Sequence, residues 1–155
     1  MKKLEDIATV FAAHKNRVLM CNAKDCEFLE IPYTGDNCSL NIQVFAHDGD
    51  KNNYTVLISS DLAVCPEETK AEANELINDI NEKSPFMTFF MEKDGTIRAK
   101  YSFWFVPDVG YGQVIYKAIL RMFWDIDQEY YRWINALLPG TMSCPPIAAS
   151  GHWRN

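Results

Sequence analysis

Asp48, Asp50 and Asn52 alternate in the way the first oxygen ligands of a calcium loop do. The pattern fails beyond them. The sixth place, which needs glycine for its sharp turn, is Asn53, and the twelfth, which needs an acid, is Ser59. The segment therefore reads as a solvated turn. The three histidines, His14, His47 and His152, lie far apart, and none has metal-ligand spacing to another His or Cys. Cys144 and His152 have the types of a nucleophile and its base, but Pro145, Pro146 and Gly151 set them in a tail without a rigid scaffold. Gly110-Tyr111-Gly112 stands where a phosphate loop would, without the third glycine and the lysine, and reads as a connection. Glu67, Glu68, Glu72, Glu75 and Asp79 spread around the polar side of a helix. Cys21 and Cys26 would suit a redox sensor only with a depressed thiol pKa, and the nearby cation Lys24 is offset by Asp25. No catalytic constellation, metal site or cofactor motif emerges, so the expectation is a protein that is not an enzyme.

The composition narrows the classes further. The 155 residues suit one domain, expected over residues 1–140, with 141–155 an irregular C-terminal tail. At 48% hydrophobic, the chain can build a core without metal or disulfide support. A net charge of −6 argues against a nucleic-acid partner, which needs clustered positive surface. Glu5 and Asp6 interrupt any signal-peptide apolar region, and no apolar run approaches the ~20 residues of a membrane span. Five cysteines, an odd count without a CxxC pair, favour reduced thiols. These features lead to the expectation of a soluble, cytoplasmic protein.

The elements that must carry any site follow from periodicity. Leu4, Ile7, Ala8, Val10 and Phe11 predict a helix from Leu4 to about His14. Strands are predicted over Glu27–Tyr33, ended by Pro32 and the Thr34-Gly35-Asp36-Asn37 turn, over Cys38–His47 and over Tyr54–Ser59. Pro66 opens a second helix with Ala73, Leu76, Ile77 and Ile80 as its apolar stripe, stopped at Ser84-Pro85. Phe86–Glu92 and Ile97–Val106 form a hairpin about Asp94-Gly95. In the second of these strands Ile97, Ala99, Tyr101, Phe103 and Phe105 face the core, and Arg98, Lys100, Ser102 and Trp104 face away. A last helix runs from about Gln113 to Leu138.

Aromatic residues exceed what one small core requires. Both faces of the Phe86–Val106 hairpin carry them, and Leu120, Trp124 and Tyr131 give the last helix a second apolar side. Phe90, Trp104, Leu120, Trp124 and Tyr131 are therefore the expected partner-binding residues, since exposed aromatic clusters are the usual anchors of protein interfaces.

The element order, α-β-β-β-α-β-β-α on a small acidic chain, resembles that of type III secretion chaperones. Ala73-Asn74-Glu75-Leu76-Ile77-Asn78-Asp79-Ile80-Asn81, then Phe86 through Asp94-Gly95 to Tyr101-Ser102-Phe103, then Asp125-Ile126-Asp127 and Tyr130-Tyr131, resemble the YbjN-domain family of bacterial proteins. Asn81, Phe86, Asp94 and Gly95 are the matching positions. The resemblance implies an α+β fold, an antiparallel sheet with helices against it. It also implies frequent dimers, a role in regulating sensory transduction, and no catalytic residues. The reading is thus a chaperone-like or regulatory protein-binding module, a homodimer, engaging a protein partner or client peptide. The rival class is a small-ligand or enzymatic domain with a pocket between the sheet and the last helix. Its signature would be paired titratable groups on inward strand faces, where Tyr101 stands almost alone.

Overall fold

Leu4, Ile7 and Phe11 are fully buried in α1 (Lys2–Ala13), as their helical spacing requires. The computed structural model describes residues 2–24, 26–48, 54–105 and 110–142. After α1 come β1 (Leu19–Ala23), β2 (Cys26–Thr34), β3 (Ser39–Asp48) and β4 (Tyr54–Val64). A 3-10 turn (Glu67–Thr69) then leads into α2 (Lys70–Lys83), followed by β5 (Thr88–Met91) and β6 (Thr96–Phe105). The chain continues as α3 (Tyr111–Asp125), a π-helical turn (Ile126–Tyr130) and α4 (Tyr131–Leu137), which form one continuous helix. The result is α+β: an open, antiparallel, six-stranded sheet in the order β1-β2-β3-β4-β6-β5.

Strand alternation divides the sheet into two unlike faces. Leu29, Ile31, Ile42, Val44, Val56, Ile58, Ile97 and Ala99 point inward and are buried beneath the helices. Pro32, Asn41, His47, Thr55, Lys100, Ser102 and Trp104 point outward and are exposed. Among the described residues every helix lies on the inner face, so the molecule has two layers.

Four boundaries differ from the sequence reading. The strand β1 was not anticipated: Leu19 and Met20 are exposed and give no alternating signal, because β1 is an edge strand with little to bury. Pro32 does not end β2. Gly35 N–H donates to Cys38 C=O (2.9 Å), which by antiparallel alternation turns the Pro32 nitrogen away from β3, on a side that β1 does not reach. The strand β4 continues to Val64 because a bulge between Asp61 and Ala63 re-phases its pairing with β6. The strand β5 is only Thr88–Met91, since Ser84 Oγ accepts the Met87 N–H (3.1 Å) and holds Ser84–Met87 in a turn.

The two layers are tied by one buried acid. Asp127, 1% exposed, lies on the π-helical turn, where Tyr131 N–H donates to Ile126 C=O, five residues back. Its carboxyl oxygens accept the backbone N–H groups of Asp36 (3.1 Å), Asn37 (2.9 Å) and Cys38 (2.8 Å). Asn37 Nδ2 returns a bond to the Asp127 carbonyl (2.9 Å), and Gln128 Nε2 donates to the carboxyl from the solvent side (2.7 Å). The carboxyl so fills the β2–β3 turn that a Cβ on Gly35 would overlap it.

This geometry makes a coupled prediction. Gly35→Ala should cost about 2 kcal/mol through overpacking. Asp127→Ala should cost about 3 kcal/mol by stripping partners from turn N–H groups. With both changes the clash disappears, so the double variant should cost at least about 1 kcal/mol less than the two together. Urea unfolding of the four proteins checks this, and strictly additive costs would show that the carboxyl does not occupy the glycine's space.

Candidate partner-binding surface

The half-buried aromatics Tyr101 and Phe103 form a ladder on the inner side of β6, their rings 5.2 Å apart, and Phe86 meets Tyr101 edge-on at 6.4 Å. Phe86 is placed there by the turn between α2 and β5. Asn81, at the end of α2, clamps β5 with both amide atoms: Oδ1 accepts the Phe89 N–H (2.7 Å) and Nδ2 donates to the Phe89 carbonyl (2.9 Å). The far hairpin turn is fixed likewise. Gly95 has φ +90°, its carbonyl accepts the Cys65 N–H (2.8 Å), and a Cβ there would overlap the Cys65 carbonyl oxygen.

Between the ladder and α3 lies a groove of about 210 Å³ lined by Phe86, Met87, Tyr101, Ala118, Arg121, Met122 and Asp125. Its lining is apolar apart from one ion pair, in which Arg121 Nε donates to both Asp125 oxygens at 2.9 Å. Small-molecule sites usually run to roughly 300–1,000 Å³ with several convergent polar groups. This groove is smaller, and its charged groups satisfy each other.

The five expected partner residues fall on both layers. Trp104 is 71% exposed on the outer sheet face, and Phe90, half-buried on that face, lies under the Lys100 ammonium at 5.2 Å. Trp124 is 51% exposed; two residues from buried Met122 and Ile126, it projects from the far side of α3. Leu120 and Tyr131 are half-buried and pack against the core. Phe86, 56% exposed, belongs to the same ridge as Tyr101 and was not singled out from sequence, where a strand-leading Phe looks like core.

The other candidates separate. His14 stacks on Tyr116 at 4.1 Å, while His47 lies on the outer sheet face. Residues 49–53 of the calcium-like turn, and Cys144 and His152, lie outside the described residues. Gly112 is buried against Val10 of α1, so this glycine serves close helix packing. Glu67, Glu68, Glu72, Glu75 and Asp79 are all exposed. Cys21 and Cys26 form no disulfide. The Cys21 thiol pKa is raised, first by desolvation and then by the Glu30 carboxylate 3.7 Å from Sγ, the opposite of what a thiolate sensor needs. Asp127 is the residue that sequence reasoning passed over, although Asp125-Ile126-Asp127 and Gly35-Asp36-Asn37 both stood out.

The structure is thus a helix-backed antiparallel sheet with aromatic side chains left at its edge. The sequence model of the YbjN family, described as a putative bacterial sensory transduction regulator, matches residues 4–136, and the chain belongs to that family. A search of curated proteins finds no match. No helix among the described residues is long and apolar enough to cross a membrane.

Two predictions follow from the local geometry. Asn81→Ala should cost about 2 kcal/mol and speed amide exchange at Phe89 far more than at Ala99; uniform acceleration along β6 would show that the clamp is not local. Glu30→Gln should lower the Cys21 thiol pKa and so speed alkylation at neutral pH, and an unchanged pH profile would remove Glu30 as a cause.

Proposed function

We propose that the chain is a non-enzymatic, cytoplasmic regulatory module that acts by binding protein, as a homodimer and through a protein partner or client segment. The observation that carries this reading is the aromatic edge. Trp104 on one face and Phe86 with Tyr101 on the other leave apolar surface open at the same strand, where a solvated monomer gains nothing from it. The regulator description of the family supports the same class of role. Phe90, Leu120, Trp124 and Tyr131 would extend the contact on the two layers, with the acidic remainder of the chain steering partner choice. The module spans residues 1–140 as one domain, and 141–155 is its tail. The reduced state of Cys21, Cys26, Cys38 and Cys65 suits the cytoplasm.

The test replaces Trp104, and separately Trp124, with a photoreactive phenylalanine analogue in cells. Adducts to protein, whether a second copy or another chain, are expected at position 104. Trp104→Ala should change stability by no more than about 0.5 kcal/mol, as for an exposed side chain. A Trp104→Ala variant that unfolds, or an absence of protein adducts at both positions, would reject the reading.

A further inference from the structure

The geometry points to the free edge of β6 at Ser102 and Trp104 as a self-pairing site, at which a second copy of this chain adds its own β6 antiparallel to the first. The inference rests on the protein-binding reading above and names the partner at that edge.

The strand β5 pairs with β6 from Met91↔Ile97 to Thr88↔Lys100 and stops there. On the other side, β4 follows β6 all the way to Phe105. Past Lys100, no strand among the described residues lies on the β5 side. The direction of the backbone groups is set by two bonds: Glu92 N–H donates to Thr96 C=O, and Cys65 N–H donates to Gly95 C=O, both 2.8 Å. Even-numbered residues of β6 therefore address β5, and odd-numbered ones address β4. Continuing the alternation, Tyr101 and Phe103 pair with Ile58 and Val56, while Ser102 and Trp104 aim N–H and C=O at the β5 side, where no strand among the described residues meets them.

Natural edge strands are guarded by charges, proline or bulges. The stretch Tyr101-Ser102-Phe103-Trp104-Phe105 has none of these, and four of its five residues are aromatic. Its chemistry selects its own kind. A two-fold axis at Phe103 sets Ser102 opposite the partner's Trp104 and Trp104 opposite the partner's Ser102, and each pair exchanges two hydrogen bonds. The inner ladder of Phe86, Tyr101 and Phe103 then runs on into the partner's ladder. No like charges face each other, although the chain carries a net −6, because Arg98 and Lys100 lie on the stretch already held by β5.

The test uses the full chain. Light scattering with size exclusion should give twice the monomer mass. Ser102→Pro removes an N–H that faces away from β4, which an edge strand tolerates, and should raise the dimer dissociation constant at least tenfold; Ser102→Ala should leave it unchanged. Amide exchange of the unaltered chain provides a second readout that does not depend on how the proline variant folds. Ser102 and Trp104 should be protected at high concentration and exchange at least tenfold faster on dilution, with Tyr101 and Phe103 protected throughout. A monomeric chain, a dimer indifferent to a folded Ser102→Pro, or protection of Ser102 and Trp104 at every dilution would overturn the proposal. The last outcome would mean that the cover comes from the same chain. If pairing fails but position 104 still photo-cross-links to a different protein, the protein-binding reading stands without the self-pairing; if adducts are missing as well, both fall.

Discussion

One carboxyl group holds the two layers of this protein in register. Asp127 sits on the helix layer and satisfies three consecutive backbone N–H groups of the β2–β3 turn, while the Gly35 N–H bonds within the turn to the Cys38 carbonyl. A buried polar group of this kind is costly unless every bond is made, and nearly every one is made here. The consequence reaches along the last helix. With Asp127 fixed at the turn, Ile126 and Tyr130 both enter the core, and a π-helical turn absorbs the residue that regular α-helical spacing would carry out of phase. The absence of a side chain at Gly35 is the matching feature on the sheet.

Once the last helix is locked at that end, the rest of the helix layer settles on one side of the sheet. Phe123 stacks on Tyr33 at 5.1 Å and Phe89 meets Tyr130 at 5.1 Å, so α3 and the π-helical turn reach from β2 to β5. Helices on one face leave the other face open, and its mixture of Thr, Lys, Ser and His is what a solvated sheet face carries. Phe28 on β2 and Phe45 on β3, stacked at 5.1 Å, are half-buried exceptions on it, and further aromatics gather where β5 ends early. There the Phe86–Tyr101–Phe103 ladder on one face and Trp104 on the other bracket a stretch of backbone that the fold itself leaves without a strand neighbour among the described residues. An energetic deficit at an edge, next to apolar side chains that are not fully covered, is the physical content of the binding role proposed for it.

Much of this was legible residue by residue. Period-3.6 stripes located the three helices, because each buries one face: Leu4, Ile7 and Phe11 in the first, Ala73, Ile77 and Ile80 in the second. Period-2 alternation located β3 and β6, because each separates a buried face from a wet one. It failed for β1, whose side chains are mostly exposed on both faces and so carry no such contrast. Of the five residues expected at a partner surface, the strand parity of Trp104 and Phe90 was readable, but the sequence could not show that Trp124 lies on the opposite layer.

By itself, then, the sequence determined the α+β class, the inward sets of most elements, the hairpin at Asp94-Gly95, and the resemblance that the family match bears out. Each of these depends on neighbours within a few residues or on composition. What only the tertiary structure decided is everything that joins distant segments: Asp127 in the turn of Gly35 some 90 residues earlier in the chain, the Phe86 ridge against Tyr101, and the point at which β5 leaves β6 uncovered. Such contacts are set by chain closure and packing across the two layers, and no local periodicity encodes which side chain will be found on the far side of the core.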